Sequence, residues 1–337
     1  MQAPSCHYRC TKLKLAAQLS VMSKSPSESD WVGLTQTHSF EAHNSTIRLS
    51  VIRPQEICFA SSGTFDDQRI RVWNVVTGEE SRSFPGQLGM STSCNDLLAA
   101  RSVDSVEWGA VGRIGVWSLQ TGEVVHMIKS QERGVVYSLS FTPDGSHIAA
   151  AGFLGPDGSV SESHNSIKVW ELRRGSETMH LALGTGEVTQ VAFSPDGARI
   201  AASERVKVMV WDAASGKRLL ERSAQDCGQI QFAHDGSRLV FSEGAVVRIV
   251  EVPSGKELSR LTNDDSVGCF CFDNSFKYCL VGNGRNIGIW NLPTGRLVAS
   301  VPGHDFPVSA IAFCPKSRRV ISGDLGGTIK IWTVTFQ

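Results

Sequence analysis

Neither sign of charge is in surplus in this chain of 337 residues: lysine and arginine number 33, aspartate and glutamate 33, and the pI is about 7.1. Proteins that coat nucleic acid or settle on anionic lipid carry a basic excess, so the balance argues against both. Also missing is any uninterrupted apolar run approaching the ~20 residues that a spanning helix needs, and the expectation is a soluble protein. No Gly-x-Ser-x-Gly elbow, His-Glu-x-x-His helix or Gly-x-x-x-x-Gly-Lys-Ser/Thr loop occurs. The lysines that follow Ser215-Gly216 and Ser254-Gly255 fall in strand turns, not at the start of a helix. Hydrolase, metalloprotease and nucleotide-binding signatures are therefore absent.

Cysteine is present, but without a metal or disulfide framework. Cys58, Cys269, Cys271, Cys279 and Cys314 occupy core-like positions in apolar runs, where a thiol acts as a small hydrophobe and points to a reducing compartment. Cys269 and Cys271 share a strand face, yet no second pair stands at zinc-ligand spacing. Cys6, His7 and Cys10 are three ligands at an uncharacteristic spacing. Asp157, Ser159, Ser161 and Glu162 alternate oxygen-bearing side chains but fall short of the six or more donors that calcium takes. Asn44-Ser45-Thr46 is a glycosylation sequon with no secretory signal to make it relevant. No metal and no cofactor is expected.

What the chain does have is a beat. Trp73/Gly78, Trp117/Gly122, Trp170/Gly175, Trp211/Gly216 and Trp290/Gly295 repeat one offset, Val250/Gly255 fits it with valine in the tryptophan's place, and Trp332 opens a seventh unit. Successive anchors lie 39 to 53 residues apart. Within a unit, apolar runs alternate with turn chemistry: Val188 to Phe193, the turn Ser194-Pro195-Asp196-Gly197, Ala198 to Ala202, and then Val206 to Trp211. Proline presets one turn angle and glycine accepts positive φ, so Pro-Asp-Gly between apolar runs predicts a tight reversal. It recurs at Pro143-Asp144-Gly145 and, altered, at His234-Asp235-Gly236 and Asp273-Asn274-Ser275. Each unit thus reads as four short strands.

These residues resemble the WD40 repeat family, and the resemblance spans nearly everything after residue 31. The namesake dipeptide stands at Trp211-Asp212, and the family's Gly-His at Gly303-His304 and, altered, at Ala42-His43. The aspartate six residues ahead of the tryptophan is present at Asp67, while Gly284 and Gly326 take that place in later units. The buried His/Asp hydrogen-bond network is accordingly expected to be incomplete in most blades, with His43 and His304 as structural hydrogen-bonders. The resemblance implies an all-β fold: a seven-bladed β-propeller of four-stranded antiparallel blades, with Trp73, Trp117, Trp170, Trp211, Trp290 and Trp332 as spacers between them.

The last unit has only three strands before Gln337. Aligning Ala42-His43 with Gly303-His304 places Leu34 to Phe40 opposite Gly295 to Val301, so the N-terminal strand is expected to complete the last blade. The domain reading is a flexible extension over 1–31 and a propeller over 32–337, with Trp31 pinning the extension to the closing blade. Before Ser27 the extension carries Arg9, Lys12, Lys14 and Lys24 and no acid. An organellar presequence is the alternative to a cytoplasmic location.

Binding on such a ring falls to its loops, and the family generally uses the rim where second-to-third-strand loops emerge. Two of those loops are long: Val103 to Gly112, which inserts Glu107 and Trp108, and Gly152 to His164, which inserts Phe153, Leu154 and Asp157. Trp108 is off the structural register. An apolar cluster of Trp108, Phe153 and Leu154 ringed by Glu107, Asp157 and Glu162, with Phe65 extending it, has the composition of an interface hot spot for a basic-apolar protein or peptide. Equally, the two loops could pack on each other with no partner.

The leading expectation is a non-enzymatic protein-interaction scaffold working as part of a complex, with no nucleic acid or membrane partner. The alternative is a propeller enzyme of hydrolase or lactonase type using the central channel, although inner strands such as Val191 to Phe193 and Ile230 to Phe232 offer few titratable side chains. A regulatory module of a larger signalling protein fits the bare repeat as well.

Overall fold

The computed structural model describes residues 30–52, 58–63, 69–85, 96–101, 111–154, 165–183, 188–314 and 316–336. These form strands and turns without a helix, arranged as six antiparallel sheets that make the seven blades of a ring. Blade 4 shows the unit: Val188–Phe193 innermost, then Arg199–Glu204, Lys207–Asp212 and Arg218–Ser223 outermost, each paired with the next. The two reversals have the chemistry read from the sequence. In the first, Asp196 accepts from Ala198 N–H at 3.0 Å and Gly197 takes φ 71°; in the second, Gly216 takes φ 69°. The six glycines of the Trp/Gly pairs, Gly255 included, all have φ between 63° and 83°, a region that side chains rarely adopt. That conformational demand keeps each glycine at a fixed distance from its tryptophan.

Packing lies between blades. Each of the seven gaps holds one apolar cluster: Trp117 fills blades 1–2, Trp170 2–3, Trp211 3–4, Trp290 5–6, Trp332 6–7 and Trp73 7–1. The 4–5 gap has Val250 instead, and Phe232 and Phe241 supply the missing volume. A side chain of this size withdrawn from water contributes about 2–3 kcal/mol, so the spacers are a large share of what joins one sheet to the next.

The ring closes as expected. Trp31–Glu41 is the outermost strand of blade 7 and pairs with Thr328–Phe336, with Leu34 opposite Val334, Gln36 opposite Trp332 and Phe40 opposite Ile329. Trp31 does more than tether the chain: it is buried, stacks on Tyr278 of blade 6 at 5.0 Å and meets Phe313 of blade 7 at 5.2 Å. Its N–H donates to Tyr278 Oη, and Asp30 accepts from Tyr278 Oη at 2.9 Å and Lys277 Nζ at 2.6 Å. The start of the closing strand is thus clasped to two blades.

Facing the axis, the free edges of the innermost strands are satisfied by side chains of their neighbours. Val191 N–H donates to Ser138 Oγ at 3.1 Å, Ile230 N–H to Gln190 Oε1 at 2.6 Å, Phe270 N–H to Gln229 Oε1 at 2.7 Å, and Ser309 Oγ to the Ile47 carbonyl at 2.8 Å. An unpaired edge would leave a row of backbone groups without partners. Serine and glutamine on the channel side therefore have structural work.

Candidate interaction rim

At each described blade boundary the loop leaving one blade is zipped to the turn between that blade's second and third strands. Gly303 and His304 N–H donate to the Arg285 carbonyl at 3.0 and 2.9 Å, and Val308 N–H to Gly284 at 2.7 Å. Asn263 N–H donates to Ala245, Val267 to Gly244, Ala224 to Val206, and Ala42 and His43 to Gly327. These bonds leave the backbone of the rim loops little freedom, so side chains on them are presented in fixed positions.

Beneath the rim of blade 7 lies a closed polar network. His304 Nδ1 meets Asp324 Oδ2 at 3.0 Å, His304 Nε2 meets Ser322 Oγ at 2.7 Å, and Trp332 Nε1 donates to Ser322 Oγ at 2.8 Å. Asp324 Oδ1 accepts from the N–H groups of Gly326 and Thr328, both at 2.9 Å. Burial alone would raise the Asp324 pKa; the hydrogen bonds from His304 and the two backbone N–H groups overcome it and hold the carboxyl below its ordinary value. This corrects the expectation from the sequence. The aspartate of blade 7 stands two residues after Ser322 and not six before Trp332, where Gly326 lies. Blade 1 keeps part of the network: His43 Nε2 and Trp73 Nε1 both reach Ser61 Oγ at 2.8 Å, while Asp67 lies outside the described residues.

Of the residues expected to bind a partner, Phe65, Glu107, Trp108, Asp157 and Glu162 lie outside the described residues. Phe153 and Leu154 are placed by backbone, and not in a loop: the second strand of blade 3 runs His147–Leu154, because it continues to pair along its neighbour. That neighbour is an 18-residue strand, Val124–Phe141, which serves blade 2 as its outermost strand and blade 3 as its innermost. It joins the two blades into one six-stranded sheet. Along it Arg133 pairs with Val111, where the blade 2 insertion ends, and Gly134 pairs with Leu154, where the blade 3 insertion begins. The roots of both insertions therefore meet at consecutive residues of one strand.

Sequence reasoning passed over a different part of the rim. Phe306 and Leu325 are 52 % and 47 % exposed, and Asp264, Asp265 and Asp305 are exposed near them. The available signal was an aromatic in Gly303-His304-Asp305-Phe306-Pro307, where a blade-joining loop needs none.

The shifted titratable groups have structural explanations. Asp144 is held at about 2, chiefly by the Thr142 hydroxyl and then by Ser146, as part of its turn. Burial pushes the Cys227, Cys269 and Cys314 thiols up to about 12, and these cysteines pack in the cores between blades. Among the described residues no group of three or more His, Cys, Asp or Glu side chains is placed to hold a metal ion.

A family model described as WD domain, G-beta repeat matches residues 122–171 and 295–333. Both segments start at the glycine of a Trp/Gly pair and end just past the next anchor tryptophan, so each covers one structural unit. The chain is 45 % identical over 152 residues to Periodic tryptophan protein 2 of Saccharomyces cerevisiae, covering 43 % of this chain and 16 % of that protein. It is 34 % identical over 71 residues to a Periodic tryptophan protein 2 homolog of Neurospora crassa, covering 20 % and 8 %. With Apoptotic protease-activating factor 1 of Rattus norvegicus it shares 28 % over 178 residues, covering 49 % and 13 %. The chain thus matches about a sixth or less of the length of these relatives.

Proposed function

From the premise that the chain belongs to the WD40 repeat family, we propose that it is a non-enzymatic scaffold that holds a protein partner on its rim, across blades 2 and 3. One observation carries this reading: the shared strand Val124–Phe141, which brings the roots of two long insertions to Arg133 and Gly134. A loop that only joins strands needs no insertion, and two insertions rooted side by side are placed to serve one partner. In this reading Trp108, Phe153 and Leu154 are the apolar anchors and Glu107, Asp157 and Glu162 the acidic groups, with Phe65 adding to them. The matching partner is a peptide or domain presenting basic and apolar side chains together.

The family and the relatives favour a scaffold within a complex over a central-channel hydrolase or lactonase. The polar groups described at the axis are also engaged in joining strands. Affinity capture from native lysate with the wild-type chain and a Trp108→Ala/Phe153→Ala variant tests the proposal. Partners lost from the variant at an unchanged melting temperature are expected. Every partner retained, with lowered thermal stability, would show that the insertions pack on each other; turnover or stoichiometric bound metal in the purified protein would favour the enzyme. Buried free thiols fit a cytoplasmic location, which an organellar pattern dependent on residues 1–31 would overturn.

A further inference from the structure

Across the ring from blades 2 and 3, the rim of blades 6 and 7 exposes an aromatic that the fold does not require. Phe306 lies in the loop between these blades, 52 % exposed, and Leu325 in the turn between the second and third strands of blade 7, 47 % exposed. Single exposed apolar residues are ordinary. These two are neighbours held in place: Leu325 N–H donates to the Pro307 carbonyl at 3.0 Å, and the Phe306 ring lies against Gly326, where any side chain would run into it. Both ends of the Phe306 loop are fixed as well, through Gly303, His304 and Val308 N–H to the turn Gly284-Arg285, with the His304 ring locked below.

Charge flanks this apolar pair on one side. Asp305 adjoins Phe306, and Asp264 and Asp265 project from the preceding loop. The Asp265 carboxylate sits over Gly284, whose carbonyl accepts Val308 N–H, so the two loops meet across one turn. Arg285 in that turn is exposed and is outnumbered by these three acidic residues. On the other side, Asn44 and Ser45 are neutral.

We propose that this sector is a second docking patch, and that its occupant is a short linear segment of another protein in which a bulky apolar side chain is flanked by lysine or arginine. The inference rests on reading the rim as an interaction surface, but not on the insertions of blades 2 and 3. The apolar side chain packs on Phe306 and Leu325, and the basic flanks lie over Asp305, Asp264 and Asp265. Preformed loops reduce the ordering cost of capturing so short a segment. A second copy of the chain is a poorer occupant, because a two-fold interface would set the same carboxylates against each other.

The test is selection of a random twelve-residue peptide library, displayed on phage, on the intact chain, followed by affinity measurement with the enriched peptides. Enrichment of apolar residues flanked by lysine or arginine is expected. Phe306→Ser or Leu325→Ser should weaken binding at least tenfold, and Asp264→Asn/Asp265→Asn/Asp305→Asn about fivefold with a flatter salt dependence, at unchanged melting temperature. Acidic consensus motifs, no enrichment, or affinity indifferent to all of these variants would overturn the proposal. So would a Phe306-dependent dimer, or binding that appears only after residues 1–29 are removed, since either assigns the patch to a different occupant. Loss of binding in Trp108→Ala/Phe153→Ala but not in Phe306→Ser would overturn the second patch and leave the scaffold reading intact.

Discussion

Blades 6 and 7 pack against each other and treat their tryptophans differently. In blade 7 the Trp332 indole N–H ends in Ser322, His304 and Asp324, and every member of the chain has a partner. In blade 6 the place of the serine is taken by Val281 and that of the aspartate by Asn283; Trp290 Nε1 and Asn283 Oδ1 are buried with no hydrogen-bond partner. Leaving such a group unsatisfied costs about 1–3 kcal/mol, and blade 6 tolerates it. The topologies suggest why. All four strands of blade 6 follow one another in the chain, whereas blade 7 takes its outermost strand from the opposite terminus. In blade 6, held together by connectivity, packing suffices, although blade 1, equally continuous, still joins Trp73 to Ser61 and His43. Where the seam is noncovalent, a polar network fixes the position of the strands that must receive the incoming one.

The largest expected effect comes from removing the spacer at the seam. Trp332→Ala should cost about 3–5 kcal/mol in denaturant unfolding. Trp332→Phe against Trp290→Phe sharpens the comparison, because only the first loses a hydrogen bond; it should be the more costly by about 1 kcal/mol, and equal losses would break it. Next in size is Asp324→Ala, expected to cost about 1–3 kcal/mol by stranding His304 and the N–H groups of Gly326 and Thr328.

The same carboxylate gives the seam a pH signature. Its folded pKa is depressed, so its contribution is present above the unfolded value near ~4 and is lost as pH falls through the lower folded value. Asp324→Asn should flatten the acid limb of the stability curve below about pH 4; an unchanged limb would remove Asp324 from the account. Lys277→Ala tests the clasp to Asp30. Both side chains are substantially exposed, so a loss under about 1 kcal/mol that fades in salt is expected.

The smallest effect should be Val281→Ser, which offers Trp290 the acceptor that blade 7 has. One buried methyl pair is exchanged for one hydrogen bond, and a change within about 1 kcal/mol of zero is expected by thermal denaturation. A gain well above that would mean that the orphaned indole was a real liability in blade 6.

The repeat, the spacers and the seam were legible because each rests on a local constraint with a fixed offset: glycine at positive φ, tryptophan five residues before it, Pro-Asp-Gly in the first reversal. Asp324 was missed because the turn between Ser322 and Trp332 varies in length among units, so counting back from tryptophan lands on Gly326. Phe153 and Leu154 read as loop because their strand is lengthened by pairing with Val135 and Gly134, and nothing in residues 152–164 announces that. Phe306 escaped notice for a related reason. Its ring rests on Gly326, which lies twenty residues away in the chain.

The claim on which the rest depends is that the N-terminal strand closes the ring, and hydrogen–deuterium exchange tests it most directly. The paired amides of Leu34 to Phe40 should exchange together with those of Ile329 to Val334, and as slowly as those of Arg218 to Ser223, the outermost strand of the continuous blade 4. Fast exchange of Leu34 to Phe40, with blade 4 still protected, would contradict it.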